Sequence, residues 1–477
     1  MSGLRLTVLG GGGFRVPLVY RALCEEDVDG ARVDEVVLHD VSADRLRLMR
    51  SVLAHVESGA PPGQAPRVIV TTDLTEAVRG ADFVFSAMRV AGLRGRVCDE
   101  RSAMSAGVLG QETTGAGGVC YGLRTVPEAL RVAAVIRDVA PEAWTINFTN
   151  PAGMVTEAMG SVLGDRVVGI CDSPVGLVRR VARVLDLDAP LGGPTLRDTP
   201  GESRNMGPPS GAVRFDYAGL NHLGWLSRVL VDGVDVLPSL LADATRLERI
   251  EEGRLFGPEW LRTLGAIPNE YLWYWYFRTD ALAAEQSASE TRGEFLLRQQ
   301  AAFYDAVADA NDPAAAYGLW DRTRQEREVS YMADSREISG AGERESEDLD
   351  GGGYDQVALA LLRAIACDRP TELILNLRNR GALPFVDDDA VVEVPCRVDA
   401  SGPVAADVGP LSAHAQSLVT AVKDVERTAI EAARSGSRDL AVRALALHPL
   451  VASVPVARSI LDAEIDGLPE LAAVITR

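Results

Sequence analysis

The stretch 4–23, LRLTVLGGGGFRVPLVYRAL, combines a short apolar run, four consecutive glycines and an amphipathic segment. The run Leu4–Leu9 predicts a buried β-strand, and the apolar spacing after the glycines predicts a helix that begins near Pro17. A second apolar run, EVVLHD, ends at Asp40. Strand, glycine turn, helix and strand in this order, with an acid closing the second strand, are typical of a dinucleotide-binding unit.

The glycines depart from the usual G-x-G-x-x-G pattern. Gly10 to Gly13 are consecutive, and no third glycine follows at the expected offset. Asp40 lies about thirty residues after the turn, where about twenty is usual. The motif alone therefore leaves two alternatives, a turn that cradles a cofactor's phosphates and a glycine-rich turn without a cofactor.

Strand-like and helix-like segments continue to alternate along the first part of the chain. Four more short apolar runs, RVIVTTD, DFVFSAM, AWTINFT and RVVGIC, are separated by helical segments. This alternation predicts an open parallel α/β sheet, in which ligands bind outside the carboxyl ends of the strands. The segments that follow those ends, RVAGLRGR, NPAGM and DSPVG, are therefore expected on the ligand-binding edge.

The composition changes after about residue 200. The stretch 198–212, DTPGESRNMGPPSGA, is rich in Pro, Gly and Ser, and is followed by strand-like and helical segments in mixed order. A chain of 477 residues is also longer than one hydrophobic core usually supports. We therefore predict a Rossmann-like domain over 1–200 and an α+β domain over 201–477.

Composition and charge exclude several classes of protein. The chain is 47% hydrophobic and 24% charged, as in ordinary globular proteins, and has no apolar run long enough to span a membrane. Its N-terminal segment lacks the features of a secretory signal, so we expect a cytoplasmic protein without membrane contacts. The net charge of −20 argues against a nucleic-acid partner, since a polyanion would be repelled.

Several residues could carry chemistry. The six cysteines lack C-x-x-C spacing, which argues against a disulfide framework or a zinc ribbon. Cys171 and His222 are either buried, satisfied side chains or ligands of a borderline divalent metal. Arg89, Arg96 and Arg292 are candidates for binding an anion through paired donors. The residues alone favour an aromatic core for Tyr271, at the start of YLWYWYF.

A set of motifs resembles glycoside hydrolase family 4, with the closest likeness to its 6-phospho-β-glucosidase branch. The resemblance runs from about residue 4 to about residue 465, and the motifs occur in the family's order: GGGGFRVPL, MRVAGLRGRVCDE, GQETTGAGG, GLRTVP, INFTNPAGMVTEA, GICDSPVG, AGLNHLGW and NLRNRGALPFVDDDAVVEVP. The resemblance implies a Rossmann-like NAD-binding domain, and a C-terminal α+β domain that binds the substrate and mediates oligomerisation. It also implies a homodimer or homotetramer that acts on a small anionic sugar.

The resemblance also implies an unusual reaction, because the NAD-dependent members of this family depart from the two-carboxylate glycosidase scheme. NAD oxidises C3 of the sugar, the C2 proton is removed, the glycosidic oxygen is eliminated, water adds and the hydride returns. A divalent metal, usually Mn²⁺, stabilises negative charge on the sugar oxygens.

Roles for individual residues follow from the same resemblance. Cys171 and His222 are expected to bind the metal, Tyr271 to act as the base and Asp172 as the general acid. The expected cofactor-binding residues are Gly10, Gly12, Gly13, Phe14, Arg15 and Asp40. The expected substrate-binding residues are Arg96, Glu112, Asn150 and Arg292.

The substrate branch stays open at this point. Asp172 gives the sequence Cys-Asp-Ser-Pro, whereas the β-active branch usually has Asn after the cysteine and the α-active branch has Cys-Asp-Met-Pro. The alternatives are the same reaction on a 6-phospho-α-glucoside, a uronide or a sulfonated sugar, a plain sugar dehydrogenase, and an NAD-binding sugar sensor.

Overall fold

The computed structural model describes residues 3–25, 32–187, 213–342 and 353–476. The internal contacts of the chain define two compact units. The first unit contains Met1–Gly169, Arg278–Met332 and Ala421–Arg477, and the second contains Ile170–Phe277 and Ala333–Thr420. The predicted domain boundary at residue 200 falls within 188–212, outside the described residues, so the division into 1–200 and 201–477 stays a prediction.

A parallel sheet forms the centre of the first unit. Its strands are β1 (Leu4–Leu9), β2 (Val33–His39), β3 (Arg67–Thr71), β4 (Phe83–Ser86), β5 (Trp144–Asn147) and β6 (Val167–Gly169). They pair in the order β3-β2-β1-β4-β5-β6, and every pair is parallel. This is the strand order of the Rossmann fold, whose ligands bind where the order reverses, between β1 and β4. The predicted Rossmann-like sheet is confirmed.

The central strands are apolar on both faces because helices cover both sides of a parallel sheet. All four residues of β4 are buried, as are the last four residues of β1 and of β2. The helices of the first unit's sheet region are Val16–Glu25, Ala43–Gly59, Leu74–Val78, Gly92–Ser105, Ala116–Val139 and Ala152–Leu163.

Later parts of the chain complete the first unit. Its further helices are Arg278–Ser287, Arg292–Ala308, Pro313–Val329, Arg438–Leu447, Val454–Gly467 and Pro469–Ala472. Helix Ala413–Ser435 contains the division between the units, at Thr420. The C-terminal helices share a buried apolar core with helix Ala116–Val139, which explains their alanine-rich, helically spaced sequence.

The second unit is an α+β arrangement around an antiparallel sheet. Its strands are β7 (Val213–Leu220), β8 (Leu223–Val231), β9 (Val234–Asp235), β10 (Ile267–Pro268), β11 (Thr371–Arg378), β12 (Val391–Asp399) and β13 (Gly402–Ala405). The order is β10-β8-β7-β12-β11, with β9 beside β8 and β13 beside β12. The predicted C-terminal α+β fold is thereby confirmed.

Short helices accompany this sheet. They are Ser173–Val184, Leu237–Leu241, Ala244–Leu247, Glu251–Phe256, Pro258–Leu264, Trp273–Tyr276, Ala333–Ser339 and Tyr354–Cys367, with a 3₁₀ turn at Glu270–Leu272. All six cysteines are free. Within the described ranges, no helix combines the length and the apolar character needed to cross a membrane.

Candidate active site

The glycine turn after β1 is held tightly against its neighbours. Gly10 has φ +82°, and the Gly13 N–H donates to the Gly10 carbonyl oxygen at 2.8 Å. The N–H groups of Gly10 and Gly11 both donate to the carbonyl oxygen of His39 at the end of β2. The helix that follows begins at Val16, so its N-terminus lies directly after the turn, as an anion-binding turn requires.

Asp40 is tied to the same turn. Its Oδ2 accepts from the Gly12 N–H at 3.1 Å, and its Oδ1 accepts from the Ser42 N–H at 3.0 Å. A carboxylate offers about four acceptor sites, so these two bonds leave capacity for ribose hydroxyls. The turn, the helix N-terminus and the acid fit a dinucleotide.

Phe14 and Arg15 occupy different environments. The Phe14 side chain is buried and meets the Phe303 ring edge-on at 5.2 Å, while its carbonyl oxygen accepts from Trp320 Nε1 at 2.8 Å. Any contact of Phe14 with a cofactor would therefore use its backbone. The Arg15 guanidinium lies 5.8 Å from the centre of the Phe148 ring.

Replacing Gly10 by Ala should destabilise the first unit. A Cβ there would lie 2.5 Å from the Ala87 carbonyl oxygen, and φ +82° is unfavourable for any L-residue. We expect the free energy of unfolding to fall by about 2 kcal/mol or more in urea denaturation. Gly59→Ala is the matched control, since a Cβ at this helix position meets nothing within 4 Å. An equal loss in both variants would contradict the account.

Three of the predicted substrate-binding residues lie in one arginine cluster, which we define as Arg15, Arg89, Arg96, Arg292 and Arg327 around Glu112. Arg96 Nη1 donates to Glu112 Oε2 at 2.7 Å, and Arg89 donates to the other carboxylate oxygen. Burial opposes ionisation, yet Arg89 and Arg96 hold the pKa of Glu112 well below its ordinary value.

Arg292 and Arg327 form the other side of the arginine cluster. Arg292 is the first residue of its helix, and its guanidinium donates to Ser330 Oγ at 2.6 Å and to the Arg327 carbonyl oxygen at 2.9 Å. Burial, together with Arg15 and Arg292, lowers the pKa of Arg327 to about 9. Burial is the larger cause, and the positive charges of Arg15 and Arg292 add to it; a bound anion would neutralise that charge.

Asn150 follows β5 in the loop NFTNPAG. Asn147 Nδ2 donates to the Thr149 carbonyl oxygen at 3.1 Å, and Thr149 Oγ1 accepts from the Met88 N–H at 2.9 Å, which fixes the loop beside β4. Asn150 Oδ1 is buried and accepts no hydrogen bond from the residues that the structure describes. A buried amide oxygen of this kind is suited to a donor from a ligand.

Cys171 and Asp172 belong to the second unit. Burial, with Glu393 and Asp172 nearby, raises the pKa of the Cys171 thiol well above its ordinary value. Cys171 Sγ lies 4.0 Å from Asp172 Oδ1. Ser173 Oγ donates to Glu270 Oε1 at 3.1 Å, which brings this segment next to the turn that carries Tyr271.

His222 lies directly against Tyr271. The two rings stack with their centres 3.7 Å apart and their planes 13° from parallel. His222 occupies the two-residue loop between β7 and β8 with φ +62°. The structure thus brings together the segments of Cys171, Asp172, His222 and Tyr271.

The donor types near Tyr271 suit a divalent metal. A thiol and an imidazole suit a borderline divalent metal. In the described part of the chain, no group of three or more His, Cys, Asp or Glu side chains could hold a metal. The thiol of Cys171 and the imidazole of His222 match the donor types of the expected site, which substrate oxygens would complete.

Two residues near the candidate site, Arg327 and Glu393, were not predicted from the sequence. Arg327 lies in DRTRQERE, where it reads as one surface charge among many. Glu393 is fully buried in β12 and binds the side chains of Tyr217, Asn221 and Asn376. The sequence VVEVP could have indicated this residue, because a carboxylate inside an apolar strand needs hydrogen-bond partners.

The fold and these clusters define a Rossmann-like α/β protein with an additional α+β unit that carries a thiol, an imidazole and a phenol. The family 4 glycosyl hydrolase model matches residues 5–187, and the model of the C-terminal domain of that family matches residues 217–451. The chain belongs to the family 4 glycosyl hydrolases, and the predicted family is confirmed.

Relatives of both anomeric types are similar to this chain. A probable 6-phospho-β-glucosidase of Bacillus subtilis is 31% identical over 473 residues, covering 97% of this chain and 95% of the relative. The structure of the Thermotoga maritima 6-phospho-β-glucosidase with manganese, NAD⁺ and glucose 6-phosphate has 26% identity and a TM-score of 0.76, covering 98% and 99% of the two chains. A 6-phospho-α-glucosidase from gut microorganisms, in complex with NAD and Mn²⁺, has 26% identity and a TM-score of 0.72, covering 98% of each chain.

Proposed function

We propose that this protein is an NAD- and divalent-metal-dependent glycosidase that hydrolyses 6-phospho-β-glucosides. The observation that carries the proposal is the stack of His222 on Tyr271, beside the segment of Cys171, because a metal held by His222 would then lie close to a tyrosine that could act as the base. The Thermotoga maritima structure with manganese, NAD⁺ and glucose 6-phosphate supports the assignment of cofactors and of the substrate's phosphate, and the gut-microorganism structure with NAD and Mn²⁺ supports the cofactors.

Each residue of the second-unit cluster would have a separate role in the reaction. When bound, NAD supplies reversible hydride transfer at C3, and the metal, held by Cys171 and His222, supplies Lewis-acid stabilisation of the sugar oxygens. Tyr271 removes the C2 proton, which the C3 ketone has acidified. The C2–H electron pair forms the C1–C2 double bond as the C1–O bond breaks, and Asp172 protonates the departing oxygen. Water then adds at C1, a proton returns to C2, and return of the hydride and a proton to the C3 carbonyl would restore the hydroxyl and the oxidised cofactor.

The cofactor and the anionic group would be held in the first unit. Gly10, Gly12, Gly13 and the backbone of Phe14 and Arg15 would bind the pyrophosphate, and Asp40 the ribose hydroxyls. An acid at this position favours NAD over NADP, because a 2′-phosphate would meet a carboxylate. Arg96, Arg292, Glu112 and Asn150 would bind the sugar and its phosphate, in a chain whose overall charge repels anions.

A substrate panel tests the proposal. The enzyme is incubated with NAD, Mn²⁺ and a reductant, and turnover is compared for chromogenic α- and β-glucosides with and without a 6-phosphate. We expect turnover only of phosphorylated glucosides, with the β-anomer preferred. Turnover of non-phosphorylated sugars alone would overturn the phosphate assignment.

The 6-phospho-α-glucosides are the second candidate substrates. The observation that favours them is Asp172, because the α-active branch also has aspartate after the cysteine, and an α-active relative is similar over 98% of the chain. Elimination between C1 and C2 does not fix the face from which the leaving group departs, so one site can process either anomer. Preference for the α-anomer in the panel would select this candidate.

Removing the charge of Arg327 should weaken phosphate binding. The pKa of Arg327 in the folded protein, about 9, is below its ordinary value of 12.5. The charged form of Arg327 therefore lowers the free energy of unfolding of the phosphate-free protein below pH 9, and this destabilisation decreases as the pH rises above 9. At pH 7 we therefore expect Arg327→Gln to raise the Tm without phosphate and to reduce the increase in Tm that inorganic phosphate produces. KM for the phosphorylated substrate should rise about tenfold.

Arg322→Gln is the matched control for this prediction, because Arg322 is an exposed arginine on the same helix, Pro313–Val329. It should leave both the Tm and the phosphate effect unchanged. If Arg327→Gln lowers the Tm in phosphate-free buffer, the account of the arginine cluster is wrong.

We further propose that the protein is a cytoplasmic homodimer or homotetramer. Light scattering coupled to size-exclusion chromatography would test the assembly, and a monomeric mass would overturn it.

A further inference from the structure

Glu393 lies at the centre of a buried hydrogen-bond network in the second unit. Its Oε1 accepts from Asn376 Nδ2 at 2.8 Å and from Asn221 Nδ2 at 3.2 Å. Its Oε2 accepts from Tyr217 Oη at 3.0 Å. A buried carboxylate that accepts three hydrogen bonds is firmly held and can orient its partners in turn.

The first arm of the network leads to His222. Asn221 and His222 form the two-residue loop between β7 and β8, where Leu220 pairs with Leu223. The φ of +62° at His222 lies in the left-handed region, which residues other than glycine adopt in only a few per cent of cases. Such conformations persist where the surroundings hold them, and the bond from Asn221 to Glu393 anchors this loop.

The second arm leads to Tyr271. Asn269 Nδ2 donates to Tyr217 Oη at 3.4 Å, and Asn269 Oδ1 accepts from the Tyr271 N–H at 3.1 Å. Asn269 thereby caps the 3₁₀ turn that carries Tyr271. At Gly224 a Cβ would lie 2.3 Å from Tyr217 Oη, so a glycine is needed for the hydroxyl to reach its place.

We propose that Glu393 is a positioning residue that orients the metal ligand His222 through Asn221, and the base Tyr271 through Tyr217 and Asn269. The inference rests on the proposed function, because that function gives His222 and Tyr271 their roles. In this arrangement one buried carboxylate orients two functional side chains through two separate hydrogen-bond paths, which are the two arms of the network.

Single substitutions can remove the hydrogen bonds of each arm separately. Asn221→Ala removes the first arm, and Tyr217→Phe removes the second. In Glu393→Gln the amide oxygen can keep both asparagine bonds, while the new NH₂ faces Tyr217, whose hydroxyl then loses its acceptor. Tyr276→Phe is the control, because its hydroxyl accepts from Trp225 Nε1 at 3.0 Å in the same unit.

Two readouts distinguish the arms. The first is the Kd of Mn²⁺ in the presence of NAD and glucose 6-phosphate, from the electron paramagnetic resonance of free Mn²⁺. The second is kcat with its C2-deuterium isotope effect. We expect Asn221→Ala to raise the Kd about tenfold. Tyr217→Phe and Glu393→Gln should leave the Kd within about twofold, lower kcat about tenfold and increase the isotope effect. The control should change neither.

The failures are distinguishable. If all three variants change both readouts in parallel with a fall in Tm, or if none changes either, Glu393 does not position these residues and the inference is overturned. If Glu393→Gln does not fold, the two arm variants still decide between these outcomes. A wild-type protein that binds no Mn²⁺ even with NAD and glucose 6-phosphate present would instead overturn the proposed function.

Discussion

Tyr271→Phe is expected to lower turnover of a 6-phosphoglucoside by about 10³-fold and to abolish deuterium exchange at C2. The reason is that the phenol oxygen is the proposed acceptor of the C2 proton, while phenylalanine keeps the ring that stacks on His222 at 3.7 Å. Exchange is measured by mass spectrometry of the sugar recovered from D₂O.

NAD affinity is the internal control for this variant, because the glycine turn and Asp40 belong to the first unit and Tyr271 to the second. We expect an unchanged Kd for NAD by titration calorimetry. Tyr274→Phe, in the same aromatic stretch, should retain exchange. Persistence of C2 exchange in Tyr271→Phe would remove the tyrosine from its assigned role.

Cys171→Ser should abolish the activation by Mn²⁺. A serine hydroxyl stays protonated where a metal would deprotonate the thiol, so one of two protein ligands is lost. Loss of a supporting residue around a metal typically costs 10- to 100-fold in affinity, so we expect the Kd for Mn²⁺ to rise by about 100-fold or more. Equilibrium dialysis of the variant against Mn²⁺ measures this directly.

Cys367→Ser is the matched control, because Cys367 is a cysteine outside any disulfide in the same unit, at the end of helix Tyr354–Cys367. It should bind Mn²⁺ as the wild type does. Equal Mn²⁺ affinity in Cys171→Ser and the wild type would contradict the ligand assignment, and an equal loss in both cysteine variants would point to a general effect on folding.

Much of the fold could be predicted from local sequence. The run Leu4–Leu9, the glycines and the run ending at Asp40 are a strand, a turn and a second strand, because burial on both faces of a parallel sheet demands continuous apolar runs. The interleaving of the units could not be predicted. Segments 278–332 and 421–477 join the first unit through long-range helix packing, which leaves no local signature.

Site residues could be predicted where a polar side chain stands in an apolar stretch, because such a side chain needs a partner. His222 follows an asparagine in an apolar stretch, and the structure places it against Tyr271. Arg327 could not be found in this way, since its significance depends on Arg15 and Arg292 lying near it although they are distant in sequence. The position of Phe14 in the glycine motif predicts a cofactor contact, but its side chain is buried against Phe303, which the motif does not indicate.

The most direct test of the central claim is the isotopic composition of the product that the wild-type enzyme releases. A 6-phosphoglucoside is hydrolysed in D₂O with NAD and Mn²⁺, and the glucose 6-phosphate is analysed by NMR and mass spectrometry. Oxidation, elimination and hydration predict one deuterium at C2, because the proton that Tyr271 removes is replaced from solvent. A product that retains its original hydrogen at C2 would contradict the account.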